Sequence, residues 1–178
     1  MKIDVAYGSE LDDFTLEQLL YMETDAFAYY ESLNDDPSKG IIIGAIPTES
    51  LKHFKKRISK TLFFMKFKTV KHKRILVGMA CISKESKNSL HFHTLFVRAL
   101  HRRNGIGTSL LTKAMQYAKK MHMTLTLGVN PLNHAALKLY DSLCFKPCRD
   151  QNIRMEWNPM SKRKGRETSF SAIQHAKC

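Results

Sequence analysis

A glycine-containing segment, residues 102–108, is the part of the sequence best suited to hold a ligand. It reads Arg-Arg-Asn-Gly-Ile-Gly-Thr and directly precedes the most regular helical pattern in the chain. Gly105 and Gly107 let a backbone approach a ligand closely, and the first amides of a helix have no intrahelical acceptors. These amides carry partial positive charge, so the segment suits a phosphate or diphosphate, and Arg102 and Arg103 add formal charge.

Two common phosphate-binding motifs do not fit this segment. A dinucleotide-binding fingerprint requires a third small residue where Leu110 stands. A P-loop requires a lysine after its last glycine, whereas Thr108 follows Gly107. A glycine turn alone is equally compatible with a helix that binds nothing at its start, so other parts of the chain must decide between the two interpretations.

A second segment, residues 133–145, lies one helix and one strand further along the chain. It reads Asn-His-Ala-Ala-Leu-Lys-Leu-Tyr-Asp-Ser-Leu-Cys-Phe. Residues 102–108 resemble the R/Q-x-x-G-x-G/A loop of the GNAT superfamily of N-acetyltransferases, and residues 133–145 resemble the N-x-x-A-x-x-L-Y-x-x-x-G-F segment of that family. The resemblance is strong over residues 74–157 and only topological over residues 1–73.

The resemblance implies that both segments bind acetyl-coenzyme A. The backbone of Leu95, Phe96 and Val97 would pair with the pantetheine arm as an added strand would. Asn133 would bond the same arm, and Tyr140 would lie near the sulfur. The residues that would surround the diphosphate are Arg102, Arg103, Asn104, Gly105, Ile106, Gly107 and Thr108.

The implied chemistry is the transfer of an acetyl group to an amine. A lysine-like amine has a pKa of about 10.4, so forming its free base at neutral pH costs about 4 to 5 kcal/mol. A positioned general base lowers that barrier, and a backbone amide near Leu95 would stabilise the oxyanion. Tyr140 is expected to hydrogen-bond the departing thiolate, because full proton transfer from a phenol to a thiolate is uphill.

The sequence leaves the identity of the general base open. Some family members carry a Glu at the position that Gly128 occupies here, so that carboxylate is missing. The histone-acetylating branch uses a Glu on the preceding strand, and the matching position is His91, whose imidazole has an ordinary pKa of about 6.5. His93 lies two residues on and faces the same side of a strand. A carboxylate of the N-terminal segment acting through water, or no dedicated base, are the other interpretations.

Cys144 stands where the family segment has a glycine. We predict that the helix ends differently here, with a packed cysteine, because a left-handed conformation would strain a residue with a side chain. Nothing in the sequence supplies Cys144 with a base or a lowered pKa, so we do not expect it to be a nucleophile.

Hydrophobic periodicity predicts the elements that position these residues. Strands are predicted at residues 2–7, 61–67, 75–83, 90–97, 123–129, 145–149 and 153–157. Helices are predicted at residues 15–30, 47–59, 106–121 and 133–143. This order indicates a mixed α/β (α+β) domain, and the resemblance implies a mostly antiparallel sheet of about seven strands flanked by about four helices.

Charge is distributed unevenly along the chain, whose net charge is +13. Residues 1–40 contain two lysines and ten acidic residues, a net charge of −8, whereas residues 41–178 have a net charge of +21. A basic body attracts phosphates, and the acidic segment is suited to a cationic acceptor such as a small amine, a protein lysine or a protein N-terminus. The acidic candidates on the first helix are Glu17, Glu23, Asp25 and Glu31.

Residues 1–157 are predicted to form one acetyltransferase domain, and residues 158–178 a loose basic tail. The four cysteines lack metal-ligand spacing, and neither a membrane-spanning run nor a signal peptide is apparent, so we expect a cytoplasmic protein without a metal. A monomer or a homodimer is expected. Two alternatives are a nucleic-acid- or ribosome-binding protein built on this fold and a coenzyme A-binding protein without catalysis.

Overall fold

The computed structural model describes residues 2–32, 49–148 and 151–160, and its elements follow the predicted order. The strands are β1 (Asp4–Tyr7), β2 (Leu62–Val70), β3 (Lys73–Lys84), β4 (Ser89–Val97), β5 (Thr124–Gly128), β6 (Lys146–Cys148) and β7 (Gln151–Trp157). The helices are α1 (Asp13–Ser32), α2 (Leu51–Ile58), α3 (Ile106–Lys120) and α4 (His134–Ser142). The predicted fold class is confirmed.

The seven strands form one sheet in the order β1-β2-β3-β4-β5-β7-β6. Neighbouring strands are antiparallel except β4 and β5, which run parallel because α3 carries the chain back across the sheet. The β4–β5 pairing begins at Ser89↔Thr124 and ends at Phe92↔Leu127. Beyond Phe92, β4 continues to Val97 without a described partner on this side, so the centre of the sheet opens.

The core lies on both faces of the sheet because successive strand side chains point in opposite directions. On β2, Leu62 and Phe64 pack in the cluster that contains α3 and α4, whereas Phe63 and Met65 pack in the cluster that contains α1 and α2. The sheet is therefore a central layer between two helix pairs, and the opening between β4 and β5 lies at its middle.

The hairpin between β2 and β3 is longer than the sequence predicts. The predicted strands end at residue 67 and resume at residue 75, whereas pairing extends to Val70↔Lys73. The connecting residues are Lys71 and His72, with φ of 46° and 66°. Two-residue turns of this kind favour Asn-Gly or Asp-Gly, so this hairpin carries no recognisable turn signal.

Part of the predicted organisation falls outside the described residues. Helix α2 begins at Leu51 with Ser50 as its N-cap, and residues 47–48 of the predicted helix lie outside the description. Residues 161–178 of the predicted basic tail also lie outside it. Within the ranges given above, no helix combines the length and apolar character that crossing a bilayer requires.

Candidate active site

The amino end of α3 has the geometry expected of a phosphate-binding turn. Gly105 is the N-cap, with a left-handed φ of 71°, and no side chain caps the helix. A Cβ added at Gly107 would lie 3.7 Å from Leu139 Cδ2, which is an ordinary contact. The packing of the chain therefore does not require glycine at position 107, and the missing side chain leaves the first amides of α3 accessible to a diphosphate.

Two of the predicted phosphate-binding residues are held by the protein itself. The Nε of Arg102 donates to the Val97 carbonyl oxygen at 2.9 Å, and its guanidinium lies 4.9 Å from the centre of the Tyr29 ring. The Nδ2 of Asn104 donates to the His101 carbonyl oxygen at 3.4 Å. Arg103 is exposed, with a φ of 63°. Arg102 therefore ties the turn to β4, while the side chain of Arg103 is accessible to a phosphate.

The second half of β4 offers an open backbone edge. The amide of Arg98 donates to the Val77 carbonyl oxygen on β3 at 3.0 Å. Because successive amides of a strand point to opposite sides, the amides of Leu95 and Val97 point away from β3, into the opening beside β5. An extended ligand arm can add to such an edge as a strand does.

Asn133 and Tyr140 lie on α4, on the other side of the opening. Asn133 is the N-cap of α4, and its Oδ1 accepts from the Ala136 amide at 3.1 Å. Its side-chain nitrogen is therefore the group left to donate to a ligand. Tyr140 is 6% exposed, and its ring centre lies 5.8 Å from that of Phe145.

The end of α4 differs from the prediction made for Cys144. Cys144 is exposed and adopts a left-handed φ of 65°. The amide of Phe145 donates to the Tyr140 carbonyl oxygen at 3.0 Å, and the amide of Cys144 donates to the Asp141 carbonyl oxygen at 2.9 Å. These two bonds form a Schellman motif, in which the left-handed position favours glycine. The prediction of a different helix end with a packed cysteine is therefore wrong, because the motif outweighs the strain of a side chain.

A cavity of about 1660 Å³ connects these parts of the fold. Every predicted site residue except Asn104 lines it. The lining residues from the predicted site are His91, His93, Leu95, Phe96, Val97, Arg102, Arg103, Gly105, Ile106, Gly107, Thr108, Asn133 and Tyr140. The turn before α3, the open edge of β4 and the two histidines thus face one continuous space.

A β-bulge in β4 lies at the predicted histidines. Ile82 pairs with Phe92 and Cys81 pairs with Thr94, so His93 is the extra residue. The ring centres of His91 and His93 lie 4.8 Å apart, which agrees with the prediction that they face the same side. Bulges re-aim side chains beside active sites, and this one has no signal in the alternating sequence of β4.

His91 lies at one end of a hydrogen-bond network that also contains Thr126, Glu85 and Arg154. Its Nδ1 lies 3.1 Å from Oγ1 of Thr126 on β5. The Thr126 hydroxyl donates to Oε2 of Glu85 at 2.9 Å, and Arg154 on β7 donates to Oε1 of Glu85. Thr126, Glu85 and Arg154 could not be identified from the sequence, because they are far apart in the chain and belong to no motif.

Both histidines have a lowered pKa, which favours the neutral imidazole at pH 7. Partial burial lowers the pKa of His91, with the charge of Glu85 opposing the shift and that of Arg154 adding to it. Partial burial also lowers the pKa of His93, and the neighbouring His91 adds to the shift. Burial acts to raise the pKa of Glu85, but hydrogen bonds led by those from Arg154 and Thr126 outweigh it and hold that pKa below its ordinary value.

Charged residues of α1 and α2 line the cavity beside the histidines. Nη2 of Arg57 lies 2.5 Å from Oε2 of Glu23 and 2.9 Å from Oε2 of Glu49. The hydrogen bonds that Arg57 donates to both carboxylates raise its pKa, so it remains charged. Lys60 also lines the cavity. Glu23 is the member of the predicted acidic set that lines it, and the side chain of Glu31 lies outside the described part of the chain.

Comparison with solved structures finds the same fold in several acetyltransferases. A GNAT-family acetyltransferase of Staphylococcus aureus is 17% identical, with a TM-score of 0.61, over 89% of this chain and 99% of that chain. PaiA N-acetyltransferase of Thermoplasma acidophilum, solved with coenzyme A, is 18% identical, with a TM-score of 0.60, over 89% of this chain and 99% of that chain. The ribosomal-protein-S18-alanine N-acetyltransferase of Escherichia coli is 21% identical, with a TM-score of 0.58, over 95% of this chain and 100% of that chain.

Comparison at the level of sequence decides the family. None of the curated proteins compared with the chain matches it. The model of the acetyltransferase (GNAT) family matches residues 20–145, which is well over half of the chain and contains both glycine-turn and α4 segments. That family consists of acyltransferases that use acetyl-coenzyme A. The chain therefore belongs to the acetyltransferase (GNAT) family.

Proposed function

We propose that this protein transfers the acetyl group of acetyl-coenzyme A directly to a primary amine, either a small cationic amine or a protein lysine or N-terminus. The observation that carries the proposal is the continuous cavity that runs from the turn before α3, along the open edge of β4, to His91. A carrier bound at the turn and extended along β4 brings its thioester toward the histidine.

The residues that bind the carrier act mainly through their backbone. The amides of Ile106, Gly107 and Thr108 hold the diphosphate at the start of α3, where the helix dipole favours negative charge. The outward-facing amide of Val97 pairs with the pantetheine arm, which leaves that of Leu95 for the thioester. These groups are preorganised by the fold, so binding requires little rearrangement of the chain.

The reaction forms one C–N bond and breaks one C–S bond. Nε2 of His91 accepts a proton from the amine as the amine nitrogen attacks the carbonyl carbon. The amide of Leu95 stabilises the oxyanion that develops on the carbonyl oxygen. The thiolate then leaves, with the hydroxyl of Tyr140 as its hydrogen-bond donor. His91 is favoured over His93 because Nε2 of His93 already lies 2.5 Å from Oγ of Ser83.

Direct transfer is favoured over a covalent acyl-enzyme route. Cys81 is the cysteine that lines the cavity, and it is 5% exposed. Burial raises the pKa of the Cys81 thiol to about 12. Since the thiolate is the nucleophile, a thiol with this pKa supplies almost none of it near pH 7.

The charges on the acceptor side support an amine. Glu23 and Glu49 share a single guanidinium, that of Arg57, so this cluster has one negative charge in excess. A cationic group near Glu23 is attracted to that excess, although Lys60 on the same side limits how many cations fit. A monocationic amine matches this balance better than a polycation.

The test is a calorimetric titration with acetyl-coenzyme A followed by a panel of amines read by release of free thiol. The panel contains monoamines, polyamines, lysine peptides and peptides with free N-termini. We expect saturable binding of acetyl-coenzyme A and a release of free thiol that depends on one class of amine. Saturable binding with no thiol release from any amine contradicts catalysis, and absent binding contradicts the whole proposal.

A further inference from the structure

Thr126 is a buried polar residue with four polar neighbours. It is 5% exposed and is the polar side chain among the buried residues of the described part of the chain. Its Oγ1 lies 3.1 Å from Nδ1 of His91, 2.9 Å from Oε2 of Glu85, 3.3 Å from the Leu90 carbonyl oxygen and 3.3 Å from Nη2 of Arg154. A hydroxyl has one proton to donate and two lone pairs to accept with, so these neighbours restrict one another.

The direction of each hydrogen bond follows from the chemistry of the neighbours. Arg154 can only donate, and the carboxylate of Glu85 can only accept. Oε2 of Glu85 is charged and closer than the Leu90 oxygen, so it takes the proton of the Thr126 hydroxyl. One lone pair then accepts from Arg154, and the other accepts from His91. The proton on the imidazole therefore lies on Nδ1.

A second contact points to the same tautomer. Nδ1 of His91 lies 3.8 Å from Oε1 of Glu85. A lone pair on Nδ1 would face that carboxylate, whereas an N–H directed at it is favourable. Glu85 is itself fixed by Arg154 and by the hydroxyl of Ser89, which donates to Oε2 at 3.1 Å. The carboxylate is therefore held in place before any proton moves.

We propose that Thr126 and Glu85 are positioning residues that hold His91 as the Nδ1–H tautomer, so that Nε2 is the nitrogen that accepts the proton of the amine. This inference rests on the proposed function, in which His91 is the base. Nε2 of His91 has no hydrogen-bond partner among the described residues, and His91 lines the cavity. After transfer, both ring nitrogens carry protons and the imidazolium charge lies beside Glu85, which stabilises it.

The first test reads the tautomer directly, by long-range ¹H–¹⁵N correlation NMR of the ¹⁵N-labelled protein. The His91 signals are assigned by their loss in His91→Ala. In the wild type, Nδ1 is expected to show the chemical shift of a protonated nitrogen and Nε2 that of an unprotonated one. In Thr126→Val, which removes the hydroxyl but keeps the shape, the two shifts are expected to converge as the tautomers mix.

The kinetic test uses the same variant with two companions. Thr126→Val is expected to lower kcat about 10- to 100-fold and to leave the KM for acetyl-coenzyme A within twofold, because the base is misoriented and the carrier site is intact. Thr126→Ser retains the hydroxyl and is expected to restore most of kcat. Thr124→Val makes the same change two residues earlier on β5 and is expected to match the wild type.

Glu85→Gln supplies a readout that a purely structural role would not move. Besides Glu85, the charged or titratable groups that face the two imidazoles are Arg154 on β7, Glu23 on α1 and the other histidine of the pair. Glu85 opposes the lowering of the pKa of His91, so its neutralisation should lower that pKa further. The acid limb of the pH profile of kcat is therefore expected to move to lower pH.

Two results would overturn the inference. One is a wild-type spectrum in which Nε2 of His91 carries the proton. The other is a Thr126→Val protein with an unchanged tautomer and an unchanged kcat. A failure of the proposed function is distinguishable from both, because a protein that transfers no acetyl group still reports the tautomer of His91 by NMR.

Discussion

The two sides of the cavity are built in different ways. The proposed carrier side consists mainly of backbone groups from two short segments, the turn before α3 and the second half of β4. The proposed acceptor side is lined by side chains from α1, α2 and β4. His91 among them contacts Thr126 on β5, which bonds Glu85, and Glu85 is joined to Arg154, 69 residues further along the chain. A backbone site is encoded locally, whereas a side-chain site exists only once the sheet has formed.

The largest effect on kcat is expected from removing the proposed base on the acceptor side. His91→Ala is expected to lower kcat by about 10²- to 10⁴-fold, the usual contribution of a general base, and to leave acetyl-coenzyme A binding unchanged. Steady-state kinetics and calorimetry measure the two effects. His53→Ala, an exposed histidine on α2, is the matched control. A kcat within threefold of the wild type would remove His91 from the mechanism.

On the carrier side, the equivalent change is Gly107→Val. Its side chain would occupy the space in front of the first amides of α3, and losing about 3 kcal/mol of charge-assisted hydrogen bonding lowers affinity about 100-fold. The Cβ common to Val and Ala at this position makes only an ordinary contact with Leu139, so the thermal midpoint of the Ala variant should change little. Gly107→Ala is the graded control, with a smaller loss. Undiminished affinity in Gly107→Val would place the diphosphate elsewhere.

The pH profile of kcat reports on the histidine side of the cavity. Burial lowers the pKa of His91. The imidazole is therefore neutral and active at any pH above that lowered pKa. Activity is lost as the pH falls through it. We expect kcat to be flat from pH 7 to 8 and to fall about tenfold per unit below the midpoint on the acid side. The profile of His91→Ala should lack this limb, and a limb that persists in the variant would assign it to another group.

Tyr140→Phe probes the point where the two sides meet. Loss of one hydrogen bond to the thiolate, worth about 1.4 kcal/mol, should lower kcat about 10-fold. The affinity for acetyl-coenzyme A should be retained, since the ring keeps its contact with Phe145. Turnover equal to that of the wild type would show that the departing thiolate takes its hydrogen bond from another donor.

The smallest expected effect concerns the end of α4. Cys144→Gly relieves the strain of a side chain at φ 65° and should raise the free energy of unfolding by about 1 kcal/mol. Urea denaturation measures the change, and kcat should be unaffected. Cys144→Ala keeps a Cβ and serves as the control, so equal stability of the Gly and Ala variants would argue against strain at this position.

Local features of the molecule could be predicted from the sequence and long-range ones could not, in agreement with this comparison. The order of the helices and strands, the glycine turn before α3 and the backbone segment of β4 beside it follow from contiguous patterns and motifs. The full length of the hairpin at Lys71 and His72 was not predictable because its turn residues are atypical. The bulge at His93 was not predictable because the strand alternation continues through it. The helix end at Cys144 was misjudged because the hydrogen bonds of the motif outweigh a local preference.

The most direct test of the backbone-built carrier site is a titration of the ¹⁵N-labelled protein with acetyl-coenzyme A, followed amide by amide in ¹H–¹⁵N correlation spectra. We expect the largest chemical-shift changes at Ile106, Gly107 and Thr108, with a second group at Leu95 and Val97. Shifts confined to other surfaces, with these five amides unmoved at saturation, would contradict this expectation.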